Sequence, residues 1–508
     1  MINGTNEPDT PGKVLIRKLP TGVPGLDTVL GGGLPEYSFN LIAGRPGSGK
    51  TTLVQQILFA NASSEAPGLY FTVLGEPPLK VLRYQQQFDF FDPAKLDGVN
   101  PAIRFLHLGQ QVLEQGLETV LETIVREVES ANPSLVVVDT FRSIVRRGMA
   151  QDQHDLEIPA FVQALALHLT SWQATTFLVG EYQEDQIGDN PVFAVADGLL
   201  WLSQSVERNS MARKLQVVKQ RGQAAQPGLH TFRITENGLQ VFPRNFGLAE
   251  KKARPRPLRR LSTGVAGLDE MLGGGLPVGD SALVAGPTGS GKSALCTQFI
   301  AEGIKQGEPG VIVVFEEHPA EYVSRAEGLN LRMEEMIQQG MLKVIYLRPL
   351  DLSVDETLHE VREAVTQIGA QRVAIDSLSG FELALAPAFR QDFRESLYRM
   401  LGALTGIGVT FLNTVEMAGS FNDVRFTPHE ISFLTDDIIL QRYVELDGQL
   451  QKIIAVVKTR QGGHSMILRR YNVTSAGLVI GETLEEYQNI LSGFPARRTA
   501  TAAEEANG

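Results

Sequence analysis

The chain contains the same stretch twice, and that repeat limits what it can fold into more than any other feature. Residues 19–35 read LPTGVPGLDTVLGGGLP and residues 261–277 read LSTGVAGLDEMLGGGLP, identical at 13 of 17 positions and 242 apart. GRPGSGKT from Gly44 and GPTGSGKS from Gly286 keep that spacing. VVVDT ending at Thr140 matches VAIDS ending at Ser377, 237 later, and VVKQR ending at Arg221 matches VVKTR ending at Arg460, 239 later. Four collinear matches at nearly one spacing mean a tandem duplication, with a period too long for a solenoid. Length alone, 508 residues, suggests about three domains. The repeat makes it two, each of about 240 residues, within the range of a single domain.

Between the copies, residues 242–260 (FPRNFGLAEKKARPRPLRR) carry prolines and basic residues and no apolar periodicity, which is linker composition. The expected organisation is a first domain over 14–245, a linker over 246–260, a second domain over 261–494 and a disordered tail over 495–508. Within each copy, short apolar runs alternate with amphipathic stretches. SFNLIAG, GLYFTVL and SLVVVD read as buried strands, and Leu113, Leu117, Val120, Leu121, Ile124, Val125 and Val128 make one face of a helix. The second copy repeats this with VIVVFEE, RVAID and a helix bearing Val354, Leu358, Val361, Val365 and Ile368. Continuous apolar strands separated by amphipathic helices predict an α/β fold with mostly parallel central sheets covered on both faces.

G-x-x-x-x-G-K-[ST] occurs at Gly44–Thr51 and Gly286–Ser293, each time between an apolar strand and a helix-forming stretch. That is the context a phosphate-binding P-loop requires. Glycines let backbone N–H groups approach phosphate oxygens, and the helix N-terminus adds its dipole. The candidate nucleotide-binding residues are Gly44, Gly47, Ser48, Gly49, Lys50, Thr51 and Thr52, and Gly286, Thr288, Gly289, Ser290, Gly291, Lys292, Ser293 and Ala294. Lys50 and Lys292 suit the β- and γ-phosphates of ATP; Thr51 and Ser293 offer hydroxyls to Mg²⁺, and Asp139 and Asp376 end apolar strands where a Walker B aspartate belongs.

The candidate base differs between the copies. VIVVFEEHP ends with Glu316 and Glu317, whereas LYFTVLGEPP offers Glu76 alone, with Gly75 opposite Glu316. A carboxylate there polarises an attacking water or hydroxyl. Lys219 with Arg221, and Lys458 with Arg460, alternate at strand ends, so each pair should share a face. Such cations keep an edge strand soluble. Their repetition favours contact with the γ-phosphate of a neighbouring subunit, in the manner of an arginine finger.

Composition excludes other classes. The net charge of −12 is a poor match for a phosphate backbone. One cysteine, Cys296, rules out a disulfide framework, and the eight histidines lack zinc-site spacing. The polar start has no signal-peptide core and no stretch is long enough to span a membrane, so the expected location is the cytoplasm.

Together the TGVPGLD…GGGLP entry segment, the P-loop, the strand-end acid and the K-x-R strand, twice and in the same order, resemble the KaiC family, tandem ATPases of the RecA superfamily. The resemblance covers roughly residues 14–496. AIDSLS at 374–379, AFRQ at 388–391, TDDIIL at 435–440 and YVELDG at 443–448 are similar to the family's second domain. It implies two RecA-like P-loop NTPase domains, ATP bound between subunits, and a homohexamer stacked as a double ring. It also implies serine/threonine autokinase activity just before TDDIIL. Ser432 matches the family's serine, with Thr427 a nearby alternative, but Phe433 replaces the adjacent threonine and cannot accept phosphate. Only ten residues follow ILSGFPARR (490–498), which argues against a KaiA-type activator and for a KaiC-like regulatory or signalling ATPase, with a KaiB-like or signalling protein as partner. Two alternatives stay open. A RecA-like recombinase or helicase motor fits the fold but not the acidic charge or the lack of a basic, aromatic-interleaved loop. A low-turnover nucleotide sensor fits Gly75 in the first copy.

Overall fold

A computed structural model of the chain describes residues 16–72, 78–108, 116–139, 163–165, 167–168, 173–183, 191–207, 210–244, 259–347, 353–385, 393–417, 435–492 and 495–497. These form two compact units, each with its own nine-stranded sheet. In the first unit the strands are β1 (Phe39–Gly44), β2 (Gly68–Thr72), β3 (Ile103–His107), β4 (Leu135–Asp139), β5 (Thr175–Glu181), β6 (Gly198–Glu207), β7 (Ser210–Gln220), β8 (His230–Thr235) and β9 (Gly238–Phe242). Their order is β9-β8-β7-β6-β1-β5-β4-β2-β3. Strands β1 to β6 pair in parallel, and β7, β8 and β9 pair antiparallel.

The second unit repeats this with β10 (Ser281–Gly286), β11 (Gly310–Val314), β12 (Leu342–Tyr346), β13 (Arg372–Asp376), β14 (Thr410–Glu416), β15 (Asp437–Leu446), β16 (Gln449–Lys458), β17 (Arg469–Thr474) and β18 (Gly477–Thr483). The order β18-β17-β16-β15-β10-β14-β13-β11-β12 is the first unit's, strand for strand. Two tandem, mostly parallel α/β domains are thus present, as the apolar runs predict.

Helices cover both faces because the strands are apolar on both. In the first unit α1 (Lys50–Asn61) buries Leu53, Val54 and Ile57 on one face; α2 (Gly116–Ala131) buries Val120, Ile124 and Val128 on the other. In the second, α3 (Lys292–Lys305) and α4 (Val354–Ile368) take the same places. Ser353 starts α4 by accepting from the Glu356 N–H at 3.2 Å, and Gly369 ends it at φ 63°.

The ends of the second unit hold more structure than composition suggests. Arg260–Leu261 pairs antiparallel with Leu276–Pro277, and the Arg260 guanidinium donates to the carbonyls of Leu272, Gly275 and Gln461. Three residues of the expected disordered tail are also ordered: Ala496–Arg497 pairs with Tyr487–Gln488, and Arg497 meets Asp447 at 2.7 Å. In both cases an arginine finds acceptors on the folded unit.

Candidate nucleotide sites

Each phosphate loop joins the C-terminal end of the sheet's central strand to a helix: β1 to α1, and β10 to α3. Gly49 and Gly291, the residues before these helices, have φ of 97° and 103°, a backbone that glycine adopts without strain. A Cβ at Gly44 would stand 2.0 Å from the Leu202 carbonyl oxygen on β6. Only glycine lets the loop start that close to the sheet.

The two lysines are held identically across their own loops. Lys50 Nζ donates to the carbonyls of Gly44 (3.0 Å) and Arg45 (2.8 Å), and Lys292 Nζ to those of Gly286 (2.9 Å) and Pro287 (2.8 Å). Burial lowers the pKa of both. Glu181 and Asp139 oppose that for Lys50; Glu416, Asp376 and Glu316 oppose it for Lys292. Ser48 and Ser290 are buried beneath the loops, and Ser290 Oγ donates to Gln441 at 3.1 Å. In the second unit the loop opens on a cavity of about 540 Å³ lined by Lys292, Ser293, Thr288, Glu316, Asp376 and Glu416 among others. A cavity of about 230 Å³ lies beside Arg45 in the first, against Trp201, Leu202, Ser203 and Gln204.

The strand-end aspartates lie beside these loops. Asp139 Oδ2 accepts from Thr51 Oγ1 at 2.8 Å and from Tyr70 Oη at 2.5 Å. Burial raises the Asp139 pKa, and the hydrogen bonds from Tyr70 and Thr51 work against it. Its Oδ1 is buried with no hydrogen-bond partner among the described residues. An orphaned acceptor beside a hydroxyl and an ammonium fits a water on Mg²⁺, which usually takes one or two carboxylates and completes its shell with water and phosphate. Asp376 lines the second cavity with Ser293, and its Oδ1 accepts from Thr414 Oγ1 at 2.7 Å.

The Glu316–Glu317 pair divides its work. Glu316 faces the cavity and accepts from Ser377 Oγ at 3.1 Å. Glu317 is ion-paired with Arg325 at 2.6 Å; burial raises its pKa, and Arg325 opposes the rise. Glu76, Gly75, Thr427, Ser432 and Phe433 lie outside the described residues.

The K-x-R residues stand at the other end of the sheet. Lys458 pairs with Ile438, Asp437 with Ala282, and Ala282 lies at the opposite end of β10 from Gly286. That is roughly 13 Å of strand away from the unit's own loop. Arg221 and Arg460 stand just past the ends of their strands. Lys219 donates to the carbonyls of Phe193 and Ala194, and Arg221 meets Asp197 at 3.1 Å. Lys458 donates to the Thr435 carbonyl and Arg460 meets Asp436 at 2.9 Å. Each pair therefore reaches the segment leading into β6 or β15.

Sequence reasoning missed a further acid. Glu181 ends β5 directly opposite Gly44, and Glu416 ends β14 directly opposite Gly286, where it accepts from Thr288 Oγ1. The signal was available: TTFLVGE and TFLNTVE are apolar runs ending in glutamate, 235 residues apart.

The duplicated sheets agree with the comparisons to known proteins. The family model "ATPase: KaiC" matches twice, over residues 19–245 and 261–485. The chain belongs to the KaiC ATPase family. Its relatives include the circadian clock oscillator protein KaiC of Picosynechococcus sp. (strain ATCC 27264 / PCC 7002 / PR-6), 29% identical over 493 residues, with 95% of this chain and 93% of that protein covered. KaiC 1 of Synechocystis sp. (strain ATCC 27184 / PCC 6803 / Kazusa) is 29% identical over 98% of this chain and 95% of its own. KaiC of Synechococcus elongatus (strain ATCC 33912 / PCC 7942 / FACHB-805) is 28% identical over 96% and 94%. Membership of this ATPase family implies that the chain binds ATP. Among the described residues, no helix is long and apolar enough to cross a membrane.

Proposed function

We propose that this KaiC-family chain hydrolyses ATP in both units as a Mg²⁺-dependent, head-to-tail ring that serves a regulatory or signalling role in the cytoplasm. The observation that carries it is the duplicated geometry: two loops whose lysines are held across them, each beside a half-buried strand-end aspartate. Lys50 and Lys292 would exchange loop carbonyls for phosphate oxygens. Thr51 with Asp139, and Ser293 with Asp376, would hold Mg²⁺, which neutralises charge on the β- and γ-phosphates. Glu316 is the better-placed base in the second unit because Glu317 is engaged by Arg325. Glu76 takes that part in the first.

Lys219, Arg221, Lys458 and Arg460 stand too far along the sheet to serve their own loops. They suit the nucleotide of a neighbouring copy, a heterologous contact that closes into a ring. Six chains in two tiers is the assembly the family resemblance supports, built from domains over 14–245 and 261–494 joined by 246–260, with 495–508 as tail. Autophosphorylation at Ser432, or at Thr427, and a KaiB-like or signalling protein partner extend the same reading.

Assembly mass measured with and without Mg-ATP, followed by phosphosite mapping of the same sample, tests it. The expected result is a hexamer with ATP. K50A and K292A should each lose about half of the bound nucleotide, since each removes one loop's cation. Full occupancy and turnover in both variants would refute the reading, and an unphosphorylated 427–435 segment would remove the kinase.

A further inference from the structure

We propose that Tyr70 and Thr414 are positioning residues for the two strand-end aspartates, each orienting its carboxylate for a metal-bound water from the opposite side of the strand. The proposal rests on the Mg-ATP reading above and names residues that reading does not use.

Tyr70 is on β2, whose register against β4 sets Tyr70 beside Val137 and Thr72 beside Asp139. Residues two apart share a face, so the phenol reaches diagonally to the carboxylate. Tyr70 is 1% exposed, and its Oη donates to Asp139 Oδ2, the same oxygen that Thr51 contacts. The result is a carboxylate with one oxygen anchored twice and the other, Oδ1, buried and without a partner among the described residues.

The second unit reaches the same end by another route. Strand registers place Ile312 where the first unit has Tyr70, and Val179 where the second has Thr414. Neither Ile312 nor Val179 has a donor. Asp376 is instead held by Thr414, from the strand on its other side, at 2.7 Å. Each aspartate thus receives one neighbouring-strand hydroxyl, and the position that supplies it in one unit is apolar in the other. Packing alone does not call for that reciprocity, because an apolar side chain fills each place well. Holding a carboxylate in one orientation does call for it, as outer partners do for metal-bound groups.

The test uses full-length chain. In a K292A background only the first loop binds, and retention of a fluorescent ADP analogue is followed through a Mg²⁺ titration. Y70F keeps the ring and removes only the hydroxyl. The expected result is a Mg²⁺ midpoint raised about tenfold, with metal-free affinity for the analogue unchanged. T414V in a K50A background should do the same at the second loop, and Y70F should leave that second midpoint alone. Stability is not the readout, because losing any buried hydrogen bond lowers it. An unchanged midpoint in Y70F, or an equal loss of affinity without metal, overturns the positioning role. If the K292A parent retains no analogue at any Mg²⁺ concentration, the ATP-site reading fails first and takes this inference with it.

Discussion

The two units share strand order, loop geometry and lysine placement, yet they fill equivalent places with opposite residues. Tyr70 with Val179 answers Ile312 with Thr414 around the strand-end aspartates. Asn40 on β1 faces Gly198 on β6, whereas Ala282 on β10 faces Asp437 on β15. Leu135, with Ala66 nearby, occupies the place where the second unit buries Arg372 against Glu308 at 2.6 Å. The lesson is that the fold asks for a filled space and a satisfied polar group, not for a particular side chain on a particular strand. In the first two cases moving the large or polar residue to the facing strand meets both demands; in the third, apolar residues at the same positions replace the whole ion pair.

Four substitutions break or sharpen the comparison. Arg372→Leu writes the first unit's residue into the second and leaves Glu308 buried without its main partner. A loss of about 3–5 kcal/mol is expected, with much of it recovered in R372L/E308A, because removing a whole buried pair is far less costly than removing half of it. Denaturant unfolding of the set measures this, and equal losses in both variants would mean the pair itself stabilises.

Asp437 is next. Burial, then Asp280 and Asp436, raise its pKa to about 7 in the folded chain. The folded state therefore holds this proton when the unfolded chain has released it. Stability should fall as pH rises from about 3.8 to about 7 and level off above. Comparing unfolding across that window should show a shallower slope in Asp437→Asn; parallel slopes would show that other groups set the trend. Gly198 gives the first unit no counterpart.

Gly198→Asp copies the second unit into the first and should cost about 1–3 kcal/mol by overpacking, since its Cβ would stand 2.2 Å from Asn40 Oδ1. Adding N40A should restore most of that, and additive losses in the double-mutant cycle would show that the two sites are not complementary. Smallest is Cys296→Val, which installs the residue that α1 carries as Val54. Cys296 is fully buried, and a swap of similar volume should cost less than about 1.5 kcal/mol, read as a small shift in thermal unfolding. A loss of nucleotide binding instead would show that this cysteine is more than core.

Much of this was legible without coordinates. The repeat, the strand–loop–helix context of both P-loops and the strand-end aspartates are contiguous patterns, and contiguous patterns survive in a one-dimensional string. The helical faces were readable for the same reason, through Val120, Ile124 and Val128 and through Val354, Leu358 and Val361. The split between Glu316 and Glu317 was not, because it depends on Arg325 arriving from the next helix.

The sequence by itself determined two copies of one α/β unit, each with a phosphate loop, a lysine and an acid, because each motif needs only its neighbours along the chain. Tertiary structure decided which hydroxyl holds each aspartate, that Glu181 and Glu416 stand against the loops, and that the K-x-R residues lie at the far end of the sheet. The reason is the strand order. β1 and β10 sit mid-sheet beside strands that come late in the chain, so partners such as Tyr70 and Asp139, 69 residues apart, meet only once the crossovers have closed.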